Sequence, residues 1–314
     1  MIYIDCINAE KILKHSFADL IDILKETVFM KKNGDVHQPL KPYLKFRDPL
    51  NRIIAMPAYV GGNVNACGIK WIASFPKNIE NGIPRANSVT ILNSTETGVP
   101  YCIIDTVLQS VYRTASVTGM IMDKFIKANG KKQYNIGIIG YGPIGRLHEE
   151  MCYELFDEYI NKINIADRHK IIDDPQDKTF FSEQLENYDE LDILITCTSS
   201  LTPYLDHFPK NARLVLNISL RDFEANKICI DGYQTVIDDW VEVAREKTNV
   251  ESLYKIGKLT KEDTIDIYDY LAVDDKEMLK GSYFFNPMGL ADFDVAVGEY
   301  MYRKGKEEKL FKVI

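Results

Sequence analysis

Apolar positions in the first part of this 314-residue chain change their spacing twice. Between residues 11 and 32 they recur at helical spacing, which predicts one amphipathic helix. After Asn33-Gly34 they form short runs interrupted by Gly, Pro and Asn, which predict strands of a mixed or antiparallel sheet at residues 52–56, 66–74, 88–93 and 101–105. Residues 106–129 return to helical spacing, and Asn129-Gly130 marks the predicted end of that helix.

The rest of the chain alternates buried strands with helical segments. Apolar runs predict strands at residues 136–139, 163–166, 191–198, 214–219 and 235–239. Such alternation is typical of a parallel, doubly wound sheet. We therefore predict the α/β class, with a Rossmann-type doubly wound parallel sheet in a domain at 116–286 and an α+β domain made of 1–115 with 287–314.

A glycine-rich turn follows the strand at 136–139 and matches G-x-G-x-x-G. In this motif the glycines permit a tight turn, a close approach of the backbone to a pyrophosphate and close helix–strand packing, while the next helix directs its N-terminal amides at the phosphates. The alternative is a glycine-rich turn in an α/β domain that binds no nucleotide. We predict a dinucleotide site with contacts from Gly140, Tyr141, Gly142, Pro143, Ile144 and Gly145.

An acid, Asp167, ends the second strand of this region. A carboxylate there bonds the adenosine ribose hydroxyls and repels a 2′-phosphate, so it predicts NAD as the cofactor. The neighbouring Arg168 instead favours NADP, because an arginine can accept a 2′-phosphate. Ligands bind at the carboxyl ends of parallel strands, so segments 196–200, 219–222 and 238–240 are expected to line the cleft. The predicted cofactor contacts there are Asp167, Arg168, Thr196, Thr198 and Ser219.

Charge and composition exclude several classes of partner. A formal net charge of −8 argues against nucleic acid, and no basic block suggests an anionic membrane. The six scattered cysteines lack a C-x-x-C pair and are typical of reduced packing residues, while five dispersed histidines give a metal site little support. Neither a signal-peptide pattern nor a membrane-length apolar run is present. We expect a cytoplasmic protein that binds a small molecule.

Four charged residues outside the glycine motif are candidates for chemistry: Arg52, Lys70, Arg113 and Asp222. Strand alternation places Lys70 opposite its apolar neighbours, which on the pattern alone favours a solvent-facing lysine. Arg113 lies in a mostly uncharged helical stretch and is equally consistent with a surface or ion-paired arginine. Asp222 follows a predicted parallel strand, where catalytic groups cluster, although loop acids also form turns.

These four residues are the groups that oxidation of an amino or imino acid requires. Arginines can clamp carboxylates in bidentate fashion. A lysine of depressed pKa and a carboxylate can shuttle protons beside a nicotinamide. The sequence therefore favours an amino-acid oxidoreductase.

At these residues the chain resembles the ornithine cyclodeaminase/μ-crystallin family over nearly its full length. The resemblance rests on Arg52-x-x-x-Met56-Pro57, Gly68-x-Lys70, Arg113-Thr114-Ala115, the glycine motif and Asn217-x-x-x-x-Asp222. It implies that Arg52, Lys70 and Arg113 bind the substrate carboxylate and polarise its imine, and that Asp222 positions water or shuttles a proton. It also implies a cofactor contact at Thr114, and a homodimer formed by the substrate-binding domain of residues 1–115 with 287–314.

Longer segments resemble the branch of this family that forms 2,3-diaminopropionate for siderophores, at residues 38–44, 68–72, 238–240, 245–247 and 286–289. The implied reaction oxidises N-[(2S)-2-amino-2-carboxyethyl]-L-glutamate with NAD⁺ and hydrolyses the imine to L-2,3-diaminopropionate and 2-oxoglutarate. Three carboxylates suit a site rich in cations. Lys41, Arg85 and Arg221 are therefore candidate additions, although each is also typical of a plain surface charge.

Two other interpretations stay open. Within the family, the same site could serve ornithine cyclisation, ketimine reduction or alanine dehydrogenation. The loop Leu220-Arg221, which stands where ornithine cyclodeaminases are glycine-rich, weighs against ornithine. Outside enzymes, the protein could be a non-catalytic nucleotide-sensing binder, but such a binder has no need of both Lys70 and Asp222.

Overall fold

The computed structural model describes residues 1–130, 132–169, 171 and 174–314. It divides into two compact units, unit 1 (Met1–Val117 with Gly289–Ile314) and unit 2 (Thr118–Met288). The strands are β1 (Ile2–Ile4), β2 (Val36–His37), β3 (Tyr43–Lys45), β4 (Arg52–Val60), β5 (Ala66–Ser74), β6 (Ala86–Asn93), β7 (Pro100–Ile104), β8 (Tyr134–Ile139), β9 (Ile160–Ala166), β10 (Thr179–Ser182), β11 (Ile193–Thr196), β12 (Leu214–Asn217), β13 (Tyr233–Ile237), β14 (Thr264–Asp266), β15 (Ser282–Asn286) and β16 (Lys312–Val313). The helices are α1 (Cys6–Leu13), α2 (Phe17–Lys32), α3 (Leu108–Asn129), α4 (Pro143–Phe156), α5 (Trp240–Val243), α6 (Asn249–Lys255), α7 (Ile267–Ala272), α8 (Asp275–Met278) and α9 (Ala291–Glu308).

Unit 1 is built on a mixed sheet of order β16-β1-β7-β6-β5-β4-β2, with β3 also paired to β4. The strands from β7 to β4 are antiparallel, whereas β1 runs parallel to β7. Alternate residues of β4, namely Met56, Ala58 and Val60, are buried, and α9 packs on β4 and β5. Lys70 of β5 lies opposite Met56 in register, so its side chain shares this buried face.

Unit 2 contains the doubly wound sheet that the sequence predicts. Its strands are all parallel in the described pairs and run in the order β10-β9-β8-β11-β12-β15-β13-β14. Every residue of β11 and β12 is buried, as expected for strands covered on both faces. The strand order reverses between β8 and β11, and ligands of such sheets bind at that point. The predicted α/β class and Rossmann-type sheet are confirmed.

Several short elements were not predicted from the sequence, and two further differences concern a long helix and an interior strand. The single helix predicted at 11–32 is two helices, because His15 adopts a φ of 55° in the left-handed region, where a right-handed helix cannot continue. The strand β15 is missing from the prediction, yet it lies inside the sheet between β12 and β13. Its sequence, Ser-Tyr-Phe-Phe-Asn, lacks the β-branched residues that mark the neighbouring strands.

Candidate active site

A buried ion cluster in unit 1 joins residues from three elements. Lys70 of β5, Arg113 of α3 and Asp294 of α9 are 1%, 7% and 0% exposed. Lys70 Nζ lies 2.6 Å from Asp294 Oδ2, and Arg113 Nε donates to Asp294 Oδ1 at 2.9 Å. Lys70 Nζ also donates to Ser110 Oγ at 3.1 Å. The solvent-facing Lys70 that the strand pattern favours is therefore wrong, and Arg113 is ion-paired.

The surroundings of this cluster lower the pKa of Lys70 into the neutral range. Burial lowers the pKa of Lys70 to about 7; Asp294 raises it, and the charges of Arg113 and Lys41 lower it. Burial also favours neutral Asp294, but Arg113 and Lys70 outweigh that effect and hold its pKa below the ordinary value. A single carboxylate thus faces several cations, so the cluster can accept another carboxylate.

Asp294 is the member of the cluster that sequence reasoning missed. The available signal was an acid in the apolar run Ala291-Asp-Phe-Asp-Val-Ala-Val at the start of α9. Asp294 is also fixed through its backbone, since Gln109 Nε2 donates to its carbonyl oxygen at 2.6 Å. The bond from Gln109 and the ion pairs with Lys70 and Arg113 together hold the Asp294 carboxylate in one position.

The other two predicted substrate contacts occupy different parts of unit 1. Lys41 is 4% exposed, and its Nζ donates to the Gly289 carbonyl at 2.6 Å. Arg52 opens β4 opposite Ser74, four residues before Met56, or about 13 Å along the strand from the level of Lys70. The structure thus groups Lys41 electrostatically with Lys70, and places Arg52 farther along the same sheet.

The glycine turn of unit 2 has the shape that its sequence predicts. Gly140 has a φ of 94°, and a Cβ there would lie 2.8 Å from the Cys197 carbonyl. A Cβ on Gly145 would collide with the Gly140 carbonyl oxygen, so both positions are closed to larger residues. A Cβ on Gly142 meets nothing within 4 Å. Open space at Gly142, directly before Pro143 and Ile144 in the first turn of α4, fits a bound pyrophosphate.

Asp167 lies beside this turn, after β9. Its Oδ2 accepts a hydrogen bond from the Tyr141 amide at 2.7 Å, and its Oδ1 accepts one from the His169 amide at 2.8 Å. Each carboxylate oxygen retains a second lone pair, so Asp167 can still accept ribose hydroxyls. Arg168 is exposed. The Tyr141 hydroxyl donates to the buried Glu149 carboxylate, and this bond fixes the side chain of Tyr141 within the glycine turn.

The predicted catalytic acid of unit 2 lies in a network of hydroxyl groups. Asp222 is fully buried; Thr198 Oγ1 donates to its Oδ1 at 2.6 Å, and Ser219 Oγ donates to its Oδ2. Thr196 Oγ1 donates to Asn217 Oδ1 at 3.2 Å. These residues end or directly follow β11 and β12, and the structure brings all of the predicted contacts at 196, 198, 219 and 222 together.

The remaining candidates have local partners. Thr114 Oγ1 donates to the Ser110 carbonyl at 2.8 Å within α3. The Arg221 guanidinium donates to the Glu246 carbonyl, at 2.8 Å from Nη2, and so is tied to a neighbouring loop. Leu220, just before it, adopts a φ of 66°. That conformation favours glycine, so Leu220 holds a strained backbone.

The described part of the chain contains no group of three or more His, Cys, Asp or Glu side chains placed to hold a metal ion. In the same part of the chain, none of the helices combines the length and the apolar character needed to cross a membrane.

A glycine turn at the switch point of a fully parallel sheet, together with a second unit built on a mixed sheet, defines a two-unit Rossmann-type α/β protein. The sequence model of the ornithine cyclodeaminase/mu-crystallin family matches residues 6–207, and the chain belongs to this family.

Known relatives extend the match over the whole chain. The N-((2S)-2-amino-2-carboxyethyl)-L-glutamate dehydrogenase of Staphylococcus aureus is 30% identical, with 99% of this chain and 97% of the relative covered. Two solved structures have the same fold. One is the Δ(1)-pyrroline-2-carboxylate reductase of Thermococcus litoralis in complex with NADH and L-proline, at 19% identity, TM-score 0.80 and full coverage of both chains. The other is an archaeal alanine dehydrogenase dimer with bound NAD, at 22% identity, TM-score 0.78 and coverage of 100% and 98%.

Proposed function

We propose that this protein catalyses NAD-dependent oxidation of N-[(2S)-2-amino-2-carboxyethyl]-L-glutamate and hydrolysis of the resulting imine. A hydride leaves Cα of the glutamate half, and its nitrogen gives up a proton as the C=N bond forms. Water then adds to that carbon, and the C–N bond breaks to give L-2,3-diaminopropionate and 2-oxoglutarate. In balance, substrate, NAD⁺ and water yield both products, NADH and one proton. The resemblance connects this product with siderophores or related secondary metabolites.

The observation that carries this proposal is the buried cluster of Lys70, Arg113 and Asp294, with the charge of Lys41 nearby. The carboxylate on the reacting carbon would bind to Arg113 and protonated Lys70, because these charge-assisted bonds supply both affinity and orientation. A positive Lys70 would also draw electron density from the imine and favour attack by water. The full-length relative that acts on this substrate supports the choice among amino acids.

The residues of unit 2 fit NAD. Open space at Gly142 leaves room for the pyrophosphate, and Asp167 can bond the ribose hydroxyls. NAD⁺, when bound, supplies the hydride acceptor. Asp222 would orient the attacking water or take its proton, with Thr198 and Ser219 holding the carboxylate in place. Equal kcat/KM values with NAD⁺ and NADP⁺ would contradict the role of Asp167 and indicate that Arg168 dominates.

The direct test follows absorbance at 340 nm with NAD⁺ and N-(2-amino-2-carboxyethyl)-glutamate, beside parallel reactions with ornithine and alanine. We expect NADH with the first substrate only, together with diaminopropionate and 2-oxoglutarate by mass spectrometry. NADH with alanine would instead support alanine dehydrogenation. Proline and ammonia from ornithine without net NADH would support cyclisation. Tight NADH binding with no turnover of any substrate would support a nucleotide-sensing binder.

We also propose a homodimer, as the family resemblance implies, and a cytoplasmic location, as the scattered cysteines without a C-x-x-C pair suggest. The archaeal alanine dehydrogenase of similar fold is described as a dimer. Light scattering coupled to size exclusion tests this directly, and a mass near 36.0 kDa, that of one chain, would contradict it.

A further inference from the structure

Arg52, the first residue of β4, belongs to a group of three cations that also contains Lys45 and Arg85. Lys45 and Arg52 are paired across β3 and β4. Lys45 Nζ and Arg52 Cζ lie 5.4 and 5.6 Å from the centre of the Tyr43 ring. Two cations therefore share one aromatic side chain, which limits where the Arg52 guanidinium can lie.

Arg85 joins this group through the pairing of β5 with β6. Ser74, the partner of Arg52 on β5, is followed by Phe75, whose amide donates to the Arg85 carbonyl at 2.9 Å. Partial burial of its guanidinium, and then the like charge of Arg52, lower the pKa of Arg85. Arg85 thus lies directly before β6, two strands from Arg52 at the same end of the sheet, and the charge of Arg52 reaches it.

The charges of Arg52 and Arg85 are uncompensated. Among the described residues, neither arginine forms an ion pair with a carboxylate, and Arg52 Nε is buried without an acceptor. By contrast, the nearby Lys77 has a partner, Asp48 Oδ2, at 2.8 Å. The chain has 46 acidic residues against 38 basic ones, so acids were available to pair with them. Adjacent arginines with free donors are the arrangement that binds carboxylates.

We propose that Arg52 and Arg85 bind the side-chain carboxylate of the glutamate half of the substrate, while Lys70 and Arg113 hold the carboxylate on the reacting carbon. This inference rests on the proposed function and adds a second anion site to it. It also assigns Arg52 to a different carboxylate from the one that the family resemblance implies.

The dimensions of the substrate are compatible with two anchors. Arg52 and Lys70 share one face of the sheet at levels about 13 Å apart. The two carboxylate carbons of the glutamate half are four bonds apart, or about 5 Å when extended. The long arginine side chains can cover the remaining distance. A substrate without the second carboxylate, such as alanine, would leave Arg52 and Arg85 unpaired and would bind more weakly.

The test compares Arg85→Gln with Lys77→Gln, a matched control in which a neighbouring but already paired lysine is neutralised. Although its guanidinium is partly desolvated, Arg85 as a residue is exposed and precedes β6, so we expect Arg85→Gln to keep the fold. In Arg85→Gln we expect the KM for N-(2-amino-2-carboxyethyl)-glutamate to rise about tenfold to a hundredfold, with kcat and the KM for NAD⁺ within about twofold. Lys77→Gln should change none of them by more than about twofold. An unchanged substrate KM in Arg85→Gln would overturn the inference.

A binding measurement separates this inference from the proposed reaction. With NADH present, calorimetry compares 2-oxoglutarate with 2-oxopentanoate, in which a methyl group replaces the second carboxylate. The unmodified protein should bind 2-oxoglutarate at least about tenfold more tightly, and Arg85→Gln should lose that preference. This result supports the anion site even if the larger substrate is not oxidised. Equal affinities in the unmodified protein, or a preference retained by Arg85→Gln, would contradict the site even if that oxidation is observed.

Discussion

Lys70 Nζ and Asp294 Oδ2 lie 2.6 Å apart, and neither side chain is more than 1% exposed. β5 supplies the lysine and α9 supplies the acid, so two distant parts of the chain meet in one buried pair. Asp294 also pairs with Arg113. The loss of this carboxylate would leave two cations without their shared partner.

Asp294→Asn should therefore destabilise the protein strongly. Removal of one partner from a buried ion pair costs about 3–5 kcal/mol. The control is Glu277→Gln, because Glu277 pairs with Lys280 and the two side chains are 67% and 73% exposed, and such surface pairs contribute about 1 kcal/mol or less. Urea unfolding measures both variants. Similar small losses in the two would show that the Asp294 cluster does not stabilise the fold.

The pH dependence of kcat/KM should report Lys70. Its pKa is lowered to about 7, so Lys70 is a cation below that pH and neutral above it. Because the proposed role needs the cation, kcat/KM should fall as pH rises through about 7. This falling limb of the pH profile reports the pKa of a group in the free enzyme. Lys70→Arg keeps the charge at all these pH values, so this limb should disappear. A limb that persists in Lys70→Arg would belong to another group.

Asp222→Asn should separate binding from turnover. The amide oxygen of the new asparagine can still accept a hydrogen bond from Thr198 Oγ1, so the loop after β12 should keep its shape. The amide cannot take a proton, and the loss of such a group typically costs about 10²–10⁴-fold in rate. We expect the dissociation constant for NAD⁺, measured by calorimetry, to stay within about threefold. A near-normal kcat would remove Asp222 from the mechanism.

Leu220 combines a buried side chain with a strained backbone, and two substitutions distinguish these effects. It is 6% exposed, so Leu220→Ala should cost about 2–5 kcal/mol of stability through lost packing. Leu220→Gly loses the same packing but relieves the positive φ, and should be more stable than the alanine variant by about 0.5–1 kcal/mol.

Leu253 is the control for this comparison. It is buried in the same cluster as Leu220 but lies in helix α6, so glycine should be less stable than alanine there by about 1 kcal/mol. Urea unfolding of all four variants gives the comparison, and the order of the alanine and glycine variants should reverse between the two positions. The same order at both would show that the backbone at Leu220 is unstrained.

Much of unit 2 could be predicted from sequence because its signals are local. The buried strands β8, β9, β11, β12 and β13 contain short apolar runs, and the glycine turn lies directly between β8 and α4. The break at His15 was not predictable in this way, because the apolar spacing continues on both sides of the residue and only its left-handed φ ends the helix.

The candidate site in unit 1 was harder to predict, because its charges are explained by contacts between distant segments. Alternation along β5 shows which face Lys70 occupies but not whether that face is buried. The answer depends on α9, which covers β4 and β5 and supplies Asp294. Lys70 and Arg113 could be identified by their residue types and motif, whereas their shared partner required the fold.

The placement of β15 has a consequence for synthesis on the ribosome. This strand pairs with β12 on one side and β13 on the other, although it follows both in the chain. Until residues 282–286 emerge, the edges of β12 and β13 that β15 will join have no partner strand. Such edges readily pair with other chains. The interval between the emergence of β13 and β15 is therefore a stage at which the growing chain needs protection from aggregation.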